Sequence, residues 1–162
     1  MRKILIMGLP GAGKTTLATA LAPLLNAVVF NADAVRANLS RDLGFSHEDR
    51  VEHARRMGWM CDRIVEAGGT VIADFICPTE ETRAAFGDAF TIWVDRISAG
   101  RFEDTNRMFV APKSFDIRSA WKARRNTGPS RRWPGCVRRS IRRSRLPCSS
   151  GAISRSTPAI SA

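Results

Sequence analysis

The sequence predicts an α/β fold of three layers, in which helices cover both faces of a mostly parallel sheet. Three observations predict it. Short apolar runs alternate with stretches of helical period along the first two thirds of the chain. A glycine-rich segment, Gly8 to Thr15, lies between the first run and the first helix. No internal repeat points to another architecture.

The elements follow in order. Lys3 to Met7 is a short apolar run stopped by Gly8, as a buried parallel strand would be. A helix over Lys14–Leu25 puts Leu17, Leu21, Leu24 and Leu25 on one stripe. Ala27 to Phe30 is a second strand, and Ala34 to Leu39 a short helix. Ser46 to Ala67 is the longest helix: Ser46 and Asp49 fit a capping box, and Gly68-Gly69 stops it. Thr70 to Ala73, ended by Asp74, is a third strand. Thr79 to Phe86 is a helix, Phe90 to Val94 a fourth strand, and Ser114 to Ile117 the start of a fifth.

The 162 residues suffice for one domain with a core. A net charge of +11 would suggest a nucleic-acid or membrane partner. Its distribution argues otherwise. Twelve of the 26 basic residues and none of the 15 acids lie after Ile117, so residues 1–117 hold fourteen bases against fifteen acids. The domain is nearly neutral and the excess sits in residues 118–162. No apolar run reaches the roughly 18 residues of a membrane span. The four cysteines have neither CxxC nor zinc spacing, which suits reduced thiols in the cytosol.

Gly8-Leu9-Pro10-Gly11-Ala12-Gly13-Lys14-Thr15 fits GxxxxGK[ST], and Thr16 follows it. Glycines permit the tight turn that aims backbone N–H groups at phosphate oxygens. The helix that follows adds the positive end of its dipole. Lys14 can reach the β- and γ-phosphates of ATP, and the Thr15 hydroxyl can ligate Mg²⁺. Strand before and helix after make this a phosphate loop of the P-loop NTPase type, binding ATP and Mg²⁺.

In an open parallel sheet the ligand lies beyond the carboxyl ends of the strands. Asp33 and Asp74 both fall there. One carboxylate could take the acceptor's proton or orient the metal, and the other could hold a metal-bound water. Each could instead cap a helix. Arg36, Arg50 and His53 come next, with Arg50 and His53 three apart on one helical face. They suit a phosphate or sulfate acceptor, or equally a solvated face.

A family resemblance narrows these alternatives. Asn31-Ala32-Asp33-Ala34-Val35-Arg36, followed by Leu43-Gly44-Phe45-Ser46-His47-Glu48-Asp49-Arg50, resembles the signature of adenylyl-sulfate kinases. Phe75-Ile76-Cys77-Pro78 is similar to that family's Phe-Ile-Ser-Pro turn, with Arg83 matching an arginine beyond it. The resemblance covers roughly Lys3 to Val94. It implies transfer of the γ-phosphate of MgATP to the 3′-hydroxyl of adenosine 5′-phosphosulfate. It also implies Asp33 as base, an acceptor site with Arg36, Phe45, Arg50 and Ile76, Phe45 stacking on adenine, and Phe75 and His53 beside them. A homodimer is left open. The chain departs from the pattern at Asn31, where the family has aspartate, at Ala32 for glycine and at His53 for asparagine. The family's Lys/Arg-rich lid is absent. Val94 leads instead to Gly100-Arg101-Phe102-Glu103-Asp104-Thr105-Asn106, where Arg101 or Arg107 could bring positive charge to the transferring group. Another small-molecule hydroxyl is therefore an alternative acceptor.

Residues 118–162 read as a basic Arg/Ser/Pro-rich tail, disordered or out of frame. Back-translation shifted by one base turns Trp121-Lys122 into a codon for Glu. Degeneracy then permits an acidic helix in place of 118–129, one that would cover the last strands. The nucleotide sequence decides this, and an early stop in the shifted frame excludes it. Binding of nucleic acid through the tail is a third, lower-ranked reading.

Overall fold

The computed structural model describes residues 2–120. The expectations for the tail from Trp121 onward lie outside these residues. A five-stranded sheet forms from β1 (Lys3–Met7), β2 (Ala27–Asn31), β3 (Thr70–Asp74), β4 (Phe90–Val94) and β5 (Ile117–Ser119). Their order is β2-β3-β1-β4-β5, and every adjacent pair is parallel. Parallel neighbours need crossovers, and α1 (Lys14–Leu25), α2 (Ala32–Leu39), α3 (His47–Glu66) and α4 (Glu80–Phe86) supply them. A short α5 (Glu103–Met108) lies between β4 and β5.

The apolar run of β1 is buried along its whole length because it is the central strand, covered on both faces. One side of the core joins Leu5, Met7, Val71 and Ala73 of the sheet to Val35, Ala54, Met57 and Cys61 of the helices. Ser46 caps α3 by accepting from the Asp49 N–H at 3.1 Å. The reciprocal half of the expected box is displaced: the Asp49 carboxylate accepts from the Gly44 N–H, at 3.0 Å. It thereby braces the turn before the helix.

Four expectations need correction. Leu24 lies 59% exposed, because the buried stripe of α1 ends at Leu21, ahead of Pro23. Helix α2 begins at Ala32, and its cap is Asn31, whose side chain accepts from the Ala34 N–H at 3.0 Å; Asp33 is inside the first turn and is not the cap. The fifth strand is Ile117–Ser119, later than expected, because it must align with Ile92–Val94. It thus runs past the boundary drawn at 117/118, with Arg118 bonded to Asp95 at 2.9 Å and stacked 4.6 Å from the Trp93 ring centre.

Candidate active site

The carboxyl ends of β1, β2 and β3 stand side by side. Register pairs Asp74 with Ile6 on one side and with Asn31 on the other. The chain leaves β1 at this point through the glycine-rich loop. Gly8 has φ +142°, and a Cβ there would sit 2.4 Å from the Val94 carbonyl oxygen. No other residue fits so close to the backbone of β4. Gly13 then stands as the left-handed N-cap of α1, with no side chain capping it. The first N–H groups of α1 are left for an anion.

Lys14 is buried, and its Nζ donates to the Leu9 carbonyl at 3.1 Å, across the mouth of the loop. Burial lowers its pKa; Asp74 and Asp33 pull in the opposite direction. Asp74 is 2% exposed, and its Oδ2 accepts from Thr15 Oγ1 at 2.5 Å and from Asn31 Nδ2 at 2.8 Å. The Thr15 hydroxyl spends its proton on this carboxylate, so its lone pairs are free to face a cation. Asn31 stands where a carboxylate was expected, and it serves Asp74 as a donor. Asp33 is exposed at the start of α2, close enough to Lys14 and Arg36 to act on both electrostatically. Thr16 is exposed on the first turn of α1.

A second cluster lies on the α2–α3 connection. The Phe45 ring is 67% exposed and flanked by two guanidinium groups, Arg36 at 4.9 Å and Arg50 at 5.6 Å from the ring centre. Each arginine is pinned to this turn: Arg36 Nη1 donates to Gly44 O at 2.5 Å, and Arg50 Nε to Phe45 O at 3.0 Å. Arg56 holds the start of the connection through a two-pronged bond to Asp42, at 2.8 and 2.7 Å. Burial lowers the Arg36 pKa, and the like charge of Arg50 lowers it further. The result is an aromatic platform between crowded cations, a setting that favours an anionic aromatic ligand.

His53 departs from expectation. It is 1% exposed, bonded through Nε2 to the Ala32 carbonyl at 3.1 Å and set edge-on to Phe75 at 5.7 Å. A carbonyl only accepts, so Nε2 carries the proton. Burial, then Arg36, pushes the pKa of the imidazole down to about 4. His53 is thus a neutral brace between α3 and the residue before Asp33, rather than a charged donor on a wet face. Phe75 is buried with it, and Ile76 is partly exposed beside it. The turn ends at Cys77, with φ +49° and its carbonyl bound by Arg83 at 3.1 Å. The Cys61 and Cys77 thiols are pushed up to about 12 by burial and are chemically quiet.

Arg107 pairs with Glu103 on the exposed side of α5, and Arg101 is exposed just before that helix. A different arginine reaches the loop. Arg96 donates from Nη1 to the Ala12 carbonyl at 3.3 Å, and the same nitrogen lies 2.7 Å from where a Cβ on Gly13 would be. Its position two residues beyond β4 was the available signal, since that strand end faces the same crevice.

Fold and loop together define a P-loop phosphotransferase: a parallel sheet whose central strand feeds a phosphate loop, with an aromatic ring between two guanidinium groups two strands away. Comparison with known proteins resolves the class. The family model Adenylylsulphate kinase matches residues 2–95. An adenylyl-sulfate kinase of Gloeothece citriformis is 34% identical over 126 residues, 72% of each chain. One from Chloroflexus aurantiacus is 46% identical over 82 residues, 48% of this chain and 44% of the relative. Among solved structures, the APS kinase of Mycobacterium tuberculosis in complex with AMPPNP and APS superposes with a TM-score of 0.63 at 25% identity. That match covers 72% of this chain and 86% of the other. The chain belongs to the adenylylsulphate kinase family.

Proposed function

We propose that this protein transfers the γ-phosphate of ATP to the 3′-hydroxyl of adenosine 5′-phosphosulfate. The observation that carries the reading is the Phe45 ring between Arg36 and Arg50, on the connection that follows α2, the helix whose first turn carries Asp33. An exposed aromatic between two cations suits an adenine and the anionic group attached to its ribose.

The loop Gly8, Leu9, Pro10, Gly11, Ala12 and Gly13, with Lys14, Thr15 and Thr16, takes the nucleotide's phosphates. Its amides and the Lys14 ammonium stabilise charge on the transferring group. Asp33 accepts the proton of the attacking hydroxyl, and no hydrogen bond to its carboxylate is present among the described residues to compete. The donor set fits Mg²⁺. Among the described residues no group of three or more His, Cys, Asp or Glu could hold a metal unaided. Mg²⁺ needs only one or two protein oxygens when phosphates supply the others. Thr15 and Asp74 would supply them here, with Asp33 as a further candidate, and the ion would offset phosphate charge. No helix among the described residues is long and apolar enough to cross a membrane. A cytosolic location and a homodimer belong to the same proposal.

A second reading, another hydroxyl acceptor, is favoured by one contact: Asp104 already sits on Arg50 at 3.2 Å. An ADP-release assay over adenosine phosphosulfate, sugars and nucleosides separates the two. Turnover with adenosine phosphosulfate is expected. Turnover with another hydroxyl and none with adenosine phosphosulfate rejects the first reading.

A further inference from the structure

The segment after β4 is built onto the phosphate loop. The Gly100 N–H donates to Asn106 Oδ1 at 2.7 Å, and Asn106 Nδ2 returns a bond to Gly100 O at 3.0 Å. A Cβ on Gly100 would fall 2.9 Å from both Cδ and O of Pro10, so the two backbones touch. Thr105 is buried. These contacts fix α5, and they aim its Asp104 at Arg50.

The two partners differ in what they need. The Asp104 side chain is 65% exposed, so water can replace Arg50 around it. Arg50 is only 12% exposed, and its Nε is already committed to Phe45 O. Its terminal nitrogens are the part left for a ligand, and Asp104 reaches one of them. At 3.2 Å the contact is longer than the roughly 2.7–2.9 Å of a tight charge-assisted bond. It is an exchangeable contact on a fixed support.

We propose that Asp104 is a specificity-determining residue: it competes with the acceptor's anion for Arg50 and thereby sets how strongly an anionic acceptor is held. The inference rests on the acceptor site described above. An acceptor bearing a phosphosulfate must displace Asp104, whereas a neutral hydroxyl compound need not. Because Gly100 abuts Pro10 and is bonded on both sides to Asn106 of α5, this carboxylate stays at the site instead of drifting with solvent.

Exposed ion pairs are weak, so the expected effect is modest, roughly two- to fivefold. Asp104→Asn should lower KM for adenosine phosphosulfate by that factor, while KM for ATP holds. In an Arg50→Gln background the same change should do nothing. Asp104→Ser serves as a second variant should the amide disturb α5. An unchanged or raised KM, or an equal effect without Arg50, overturns the proposal. If the wild-type protein does not turn over adenosine phosphosulfate, the functional reading has failed on its own. Calorimetry with adenosine 5′-monophosphate then decides for Asp104. Two- to fivefold tighter binding in Asp104→Asn supports it, and equal, weaker or no binding in both proteins rejects it.

Discussion

On the proposed function, Lys14 and Asp33 divide the chemistry between a buried cation and an exposed carboxylate. Lys14 is held in the loop by Leu9 O; burial lowers its pKa, and Asp74 and Asp33 oppose that. Truncation should remove a preorganised charge from the transferring phosphoryl group. Lys14→Ala is expected to lower kcat about 10²–10³-fold, and near-normal turnover would refute the phosphate-loop assignment. Asp33→Asn should lower kcat by about 10²–10⁴ while ATP binding, read by calorimetry, is kept. The positions of both were legible in the sequence because each follows a strand that ends at the crevice. Asn31 was legible only as a departure. Its use as a donor to Asp74 depends on β2 and β3 lying in register, which no local pattern reveals.

Most elements announced themselves, short strands included, and α5 did not. Helix α3 carries a serine cap, a helical stripe and a Gly-Gly stop, and it appears within one residue of expectation at each end. Helix α5 has six residues, no side-chain cap and one buried position, so neither period nor punctuation marks it. Its tie through Asn106 to Gly100, which abuts Pro10, specifies it instead. The contact between α3 and α4 offers a test at this scale. A Cβ on Gly58 would meet the Phe86 carbonyl oxygen at 2.3 Å, and a backbone carbonyl cannot turn aside as a side chain would. Alanine gains about 1 kcal/mol of helix propensity. Overpacking costs up to about 3. Gly58→Ala should therefore lose about 2 kcal/mol in urea unfolding, and a stabilised variant would show that the helices can part at no cost.

At the scale of the molecule, the buried neutral His53 couples stability to pH. Its folded pKa is about 4, against an ordinary value of 6.5, so the unfolded chain takes up the proton first. Above pH 6.5 neither state is charged and nothing is lost. Stability falls as pH drops from there and levels off below about pH 4, with a total loss on the order of 3 kcal/mol. His53→Asn should flatten that part of the profile in thermal unfolding at pH 4 to 7; equal slopes in both proteins would place the acid sensitivity elsewhere. The sequence by itself determined the alternation of strands and helices, the phosphate loop and the acceptor signature, because these are written in local spacing and in residue types that few other arrangements use. Only the tertiary structure decided that His53 faces inward, that β5 pairs as late as Ser119, that Arg96 lies on the loop, and that Asp104 meets Arg50. Each of those depends on which distant segment lies opposite. That is settled by strand order and helix packing across the whole sheet, over separations that no periodicity spans.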